Sequence, residues 1–131
     1  MSRMPNLPNM IVAAALALLP LAGMAETRLL MGEEKGCPWC ARWHAEVGDA
    51  YPRTPEGRAA PLLPHDIAGP LPDGVTLKRG IFFTPTFVLL DDGVEVARIE
   101  GYPGEDFFWG LLDRMLDDAG VTVDDDAASQ G

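Results

Sequence analysis

Thr27-Arg28-Leu29-Leu30-Met31-Gly32-Glu33-Glu34-Lys35-Gly36-Cys37-Pro38-Trp39-Cys40 is the stretch on which the fold turns. Thr27 to Met31 is a short apolar run ending at Gly32, the pattern of a strand. Glu33 to Gly36 is a loop, and Pro38 suits the first position of a helix, where its missing N–H is no loss. From Cys40 the residues Trp43, Val47 and Ala50 recur at helical spacing, and Gly48 and Pro52 mark the end. A strand therefore delivers two cysteines to the start of a helix. Further on, Pro52 to Gly57 is turn chemistry. Ala59 to Ile67 is apolar but carries Pro61 and Pro64, which confine it to the edge of a sheet. Gly69 to Gly74 is another loop, and Val75 to Phe83 has no clear type. Thr86-Phe-Val-Leu-Leu90 and Val94-Glu-Val-Ala-Arg-Ile99 flank Asp91-Asp92-Gly93, a hairpin whose glycine supplies the positive φ. The first of these strands is wholly apolar, as a buried central strand should be, and the second alternates more. After Gly101-Tyr-Pro-Gly104 a helix opens with Glu105 and Asp106 at the positive end of its dipole. Phe107, Phe108, Leu111, Leu112, Met115 and Leu116 form its apolar stripe, and Gly120 is its expected C′ residue. The order β-α-β, connection, β-β-α builds an α/β fold with a mixed four-stranded sheet. The last helix covers one of its faces.

The chain has 131 residues, enough for one domain. Its 47% apolar and 23% charged fractions are ordinary for a globular protein. Arg3, the apolar run Met10 to Ala22, and the small residues Gly23 and Ala25 describe a secretory signal peptide over residues 1–25, cleaved after Ala25. The run contains Pro20 and is shorter than the about 20 residues that a spanning helix needs, so cleavage is preferred to anchoring. A cysteine at the cleavage site, the mark of a lipoprotein, is missing. The net charge of −10 at pH 7 argues against nucleic-acid binding and against docking on anionic lipid; an acidic surface favours solubility. Residues 26–119 form the expected domain. Residues 120–131 read as an acidic flexible tail.

Both cysteines lie in the domain. As a structural staple so short a ring contributes only about 1.9 kcal/mol, against about 3 for a 15-residue loop. Redox chemistry fits the spacing better. Disulfide exchange needs a thiolate nucleophile and a second thiol to resolve the mixed disulfide. A helix start behind Cys37 lowers its pKa, which makes Cys37 the attacking thiol and Cys40 the resolving one. Zinc sites also contain C-x-x-C, but strand, loop, Cys-Pro-x-Cys and helix together are more specific. His44 follows Cys40 by four and Cys37 by seven, so a copper site of Cys37, Cys40 and His44 is one alternative. One helix face supplies too few ligands for a closed tetrahedral site, and a solvated or capping His44 is preferred. Trp39 is expected to cover the disulfide and touch substrate, Trp43 to sit in the core, and Glu33 and Glu34 to be solvated loop charges. His65 and Asp66 look like a loop or strand end. No phosphate-binding loop or Ser-His-Asp set is visible, and the expected cofactor list is empty apart from the Cys37–Cys40 disulfide, with no metal.

Over about residues 27 to 118 the sequence resembles the thioredoxin superfamily. Cys37-Pro38-Trp39-Cys40 matches its active-site motif, and Thr84-Pro85 matches its cis-proline loop. The resemblance implies a cis Pro85 whose neighbouring backbone pairs with an extended substrate, and a Thr84 that faces Cys37. Gly101-Tyr102 resembles the turn that borders the same groove. Two departures matter: only one strand precedes the motif, as in glutaredoxin, and no acidic residue matches the buried carboxylate that accepts a proton in thioredoxins. Tyr51-Pro-Arg-Thr-Pro-Glu-Gly-Arg58, Thr84-Pro-Thr-Phe-Val-Leu89 and Gly101-Tyr-Pro-Gly-Glu-Asp-Phe-Phe-Trp109 resemble the small periplasmic thioredoxins of the sulfur-oxidation (Sox) system, the SoxS type. That implies a monomeric periplasmic thiol-disulfide oxidoreductase reducing a partner's reactive cysteine, the Sox sulfur carrier for instance, and recharged by a membrane thiol-electron donor.

The motif does not fix the direction of electron flow. A Cys37 titrating about two units below ~8.5 favours the reduced form at pH 7 by about 0.8 kcal/mol, or roughly 18 mV. Thioredoxin and DsbA differ by ~150 mV. The stretch between Cys40 and Pro85 is too short for the helical insertion of DsbA-like oxidases. A reductase is therefore expected ahead of an oxidase, an isomerase or a binding module without turnover.

Overall fold

A computed structural model describes residues 2–5 and 26–124. The expected signal peptide, apart from its first few residues, and residues 125–131 of the expected tail lie outside the described residues. The chain runs β1 (Thr27–Glu33), α1 (Pro38–Trp43), a π-helical turn (His44–Gly48), a 3-10 turn (Tyr51–Arg53), α2 (Pro55–Ala59), β2 (Leu62–Asp66), β3 (Thr86–Asp91), β4 (Val94–Glu100) and α3 (Glu105–Asp118). The four strands form one sheet in the order β2-β1-β3-β4. β1 and β2 are parallel, and the β1–β3 and β3–β4 pairs are antiparallel. This is the mixed α/β sheet of a thioredoxin-like fold, with β2 and its Pro64 on an edge, where a missing N–H costs least.

Alternation along β1 and β3 sends side chains to two faces. Leu29, Met31, Phe87 and Leu89 join Trp43, Val47, Tyr51, Phe108, Leu112 and Leu116 in one core beneath the helices. Leu30, Val88 and Leu90 point the other way, where Leu63, Val75, Leu77 and Ile81 cover them. Among the described residues no helix covers the second face: residues 67–85 cross it as an irregular strap. Gly32 gives this strap room, since a Cβ there would stand 2.9 Å from Ile81 Cδ1.

A bulge in β4 fixes the strap. Leu89 pairs with Ala97 but Leu90 pairs with Glu95, so Val96 is the extra residue. The bulge brings Glu95 and Arg98, three apart, onto the strap face, while Ala97 and Ile99 pack against the helix-side core. Arg98 Nε and Nη2 donate to Glu95 at 2.5 and 2.8 Å. Arg98 also donates to the carbonyls of Arg79 and Gly80, and Glu95 accepts from the Lys78 backbone N–H. The ion pair is almost fully buried, with side-chain exposures of 7% and 1%. Its hydrogen bonds hold the Glu95 carboxyl below its ordinary value and raise the Arg98 guanidinium.

Several local expectations change. Residues 52–57, read as a turn, form the 3-10 turn and α2. Thr54 caps α2 by accepting from the Gly57 N–H at 3.0 Å while donating to the Tyr51 carbonyl at 2.7 Å. A Cβ on Gly57 would overlap the Tyr51 carbonyl oxygen at 1.8 Å, which only glycine tolerates. The hairpin turn takes positive φ at Asp92 (50°) and Gly93 (83°), as a two-residue turn joining twisted strands requires. The α3 stripe is narrower than its sequence suggests: Phe108, Leu112, Met115 and Leu116 are buried, whereas Phe107 is 71% and Leu111 42% exposed. At its end Val121 N–H reaches Leu116 O and Gly120 N–H reaches Asp117 O, closing a Schellman motif with Gly120 at C′. Val121 and Val123, at the start of the segment read as tail, pack on the core.

Candidate active site

The site forms where the two coverings of the sheet meet. β1 ends at Glu33, and the following loop places Cys37 as the N-cap of α1, with φ −82° and ψ 107°. Pro38 occupies the first turn. The Cys40 N–H donates to Cys37 Sγ at 3.1 Å. The helix start therefore turns a backbone donor toward this sulfur and favours its anionic form once reduced. Cys37 and Cys40 form a disulfide with their Cα atoms 5.3 Å apart. Cys37 is half-buried, whereas Cys40 is 3% exposed and belongs to the core. Trp39 stands out, 52% exposed, with the Arg42 guanidinium 5.6 Å above its ring. Trp43 lies in the core between Phe87 and Phe108, as expected.

The strap supplies the facing wall. The Thr84–Pro85 bond is cis. The Thr84 carbonyl oxygen lies 3.4 Å from Cys37 Sγ, an acceptor that favours the protonated thiol and so opposes the helix. The Thr84 hydroxyl donates to Glu34 at 2.8 Å. Gly101 N–H bonds the Pro85 carbonyl at 2.7 Å, which joins the turn after β4 to this loop. Cys37, Cys40, Thr84, Pro85 and Gly101 are thus brought together. Tyr102 sits differently: its ring is buried against Phe108 and its hydroxyl donates to Glu46 at 3.3 Å. Burial, then the Glu46 carboxylate, push its phenol up to about 12.

Glu33 and Glu34, read as solvated charges, are both engaged. Glu34 accepts from Thr84, and Glu33 Oε1 lies 2.8 Å from His44 Nε2. His44 packs edge-on against Trp43. The π-helical turn that begins at His44 gives no sign in the sequence, but the spacing of His44 from Cys40 did point to a shared side of the helix. The sulfurs of the copper set considered from sequence are bonded to each other, and its His44 is held by Glu33. Among the described residues no group of three or more His, Cys, Asp or Glu could hold a metal ion. His65 is buried in β2, and Asp66 Oδ1 accepts from the Ala68 N–H. Phe82 and Phe83, just before Thr84, are largely exposed; nothing in the local pattern had singled them out.

No protein-family model matches the chain, and no curated protein matches it. Solved structures do. The periplasmic thioredoxin SoxS from Paracoccus pantotrophus, in its reduced form, is 55% identical with a TM-score of 0.70. The match covers 72% of this chain and 99% of that one. A thioredoxin-2 from a malaria parasite, a component of its protein secretion machinery, is 16% identical with a TM-score of 0.46, covering 69% of this chain and 84% of that one. The identity and coverage of the first match establish the family, and the paired sulfurs at the head of α1 are its chemistry. The chain belongs to the thioredoxin family and is a thiol-disulfide oxidoreductase with a redox disulfide at Cys37 and Cys40.

Proposed function

We propose that the protein is an exported, monomeric dithiol reductase that works in the periplasm, reducing a disulfide or persulfide on a partner protein. The observation that carries this reading is the asymmetry of the two sulfurs: Cys37 is reachable at the head of α1 and receives an N–H, while Cys40 is buried behind it. Cys37 attacks the partner's sulfur and Cys40 resolves the mixed disulfide. Pro38 starts the helix, and Trp39 offers an exposed face beside the disulfide. The Thr84-Pro85 backbone and the Gly101-Tyr102 turn flank the groove in which the partner's chain lies. Periplasmic placement is supported by the N-terminal signal-peptide pattern and by the SoxS match. A partner in sulfur oxidation with a reactive cysteine, such as the Sox sulfur carrier, and a membrane thiol donor that restores the dithiol fit the same match.

Trapping in the cell envelope tests this. Cys40→Ser should accumulate a mixed disulfide with the natural partner, and Cys37→Ser should abolish exchange. Retention of full activity by Cys37→Ser would overturn the assignment. Equilibration against glutathione buffers tests direction: a potential below about −200 mV supports reduction, and one near −120 mV would make the protein an oxidase.

A further inference from the structure

Resolution of the mixed disulfide requires Cys40 to lose its proton, because only the thiolate attacks. The surroundings of Cys40 restrict where that proton can go. Cys40 belongs to the apolar core that also holds Met31, Trp43 and Phe87. Among the described residues the buried ionisable side chains besides the cysteines are His65, the Glu95–Arg98 pair and the phenols of Tyr51 and Tyr102, and none of them lines the cleft beside the disulfide. That cleft, about 440 Å3, is lined by Cys37, Pro38, Cys40, Glu33, Glu34 and His44. His44 sits one helical turn beyond Cys40, on the same side of the helix. Its Nε2 is held at 2.8 Å by Glu33 from the end of β1. Gly48 leaves the ring its space, since a Cβ there would stand 3.2 Å from Nδ1.

We infer that the Glu33–His44 pair is the proton acceptor for Cys40, reached through water in this cleft, and that it stands in for a buried carboxylate. The inference rests on the dithiol-exchange reading above. In the step, Cys40 gives its proton through a water to the pair, and the carboxylate balances the charge on the imidazole. The Cys40 thiolate attacks Cys37 Sγ, the Cys37–partner S–S bond breaks, and the Cys37–Cys40 bond forms. The partner's sulfur leaves as a thiolate and takes up a proton. Two electrons pass from the dithiol to the partner. Other ionisable groups near the pair are Glu34 and Lys35 in the loop, Arg42 and Glu46 on the same helical segment, and His65 and Asp66 on β2. Arg42 and Glu46 are paired with each other. Glu34 is taken up by Thr84.

Stopped-flow reduction of a small aromatic disulfide between pH 5 and 9 separates attack from resolution. His44→Gln should leave attack by Cys37 unchanged and slow resolution about 10²-fold, the low end of the about 10²–10⁴-fold typical of general acid–base groups. The pH dependence of resolution should differ from that of the wild type, and added imidazole should restore part of the rate. Glu33→Gln should slow resolution by a smaller factor. Wild-type resolution rates and pH dependence in His44→Gln would overturn the inference, as would equal slowing of both steps. Failure of Cys40→Ser to form any mixed disulfide would instead remove the exchange reading itself.

Discussion

The two faces of the sheet are covered by different means. On one, α1 and α3 bury Trp43, Tyr51, Phe87 and Phe108 ring against ring, with centroids 4.9 to 6.0 Å apart. On the other, an irregular strap lies over three aliphatic side chains and is tied down by the Glu95–Arg98 pair. The difference explains the site. The cysteines need a rigid platform and take it from the aromatic face. The groove wall at Thr84 and Pro85 is the end of the strap, which rests on fewer contacts. Regions with little apolar packing open first, so the strap is the layer that yields before the aromatic face.

Substitutions on the two faces should therefore behave differently. Phe108→Ala removes a large ring from the aromatic cluster and should cost about 3–5 kcal/mol, read by urea unfolding as a loss shared by the whole domain. Arg98→Met leaves Glu95 buried without its cation and should cost about 3 kcal/mol. Hydrogen exchange should then speed first in residues 76–83, with α3 still protected; uniform loss of protection would deny that the strap is a separate layer. The same pair predicts an acid dependence. Because folding depresses the Glu95 carboxyl, its contribution is fully present above the ordinary carboxylate range. It is lost as the pH falls through the depressed value. Glu95→Gln should flatten the acid side of the stability profile. The smallest effect is expected from Thr54→Ala, about 1 kcal/mol for loss of the α2 cap, seen as a slightly lower Tm.

The sequence made the aromatic face readable because its elements are regular. The 3.6-residue recurrence of Phe108, Leu112 and Met115, the apolar run of β3 and the Asp92-Gly93 turn each carry a local rule. The strap follows none: Val75, Leu77 and Ile81 are anchors without a repeating period. The β4 bulge left only a faint trace, the adjacent apolar pair Val96-Ala97 that breaks the alternation of Val94 to Ile99, and the pairing with β3 shows Val96 to be the extra residue. Near the disulfide, the pairing of Cys37 with Cys40 was legible from spacing against a helix start, and the cis Thr84–Pro85 bond from family resemblance. The engagement of Glu33 by His44 and of Glu34 by Thr84 was not, because each partner lies on another element, 11 and 50 residues away.

The most direct test of the sulfur asymmetry is mass-resolved alkylation of the reduced protein across pH. Cys37 alone should be modified at neutral pH, with a midpoint below the free-cysteine value of about 8.5, while Cys40 stays protected until the fold is lost. Equal labelling of both cysteines, or a Cys37 that reacts only above that value, would contradict it.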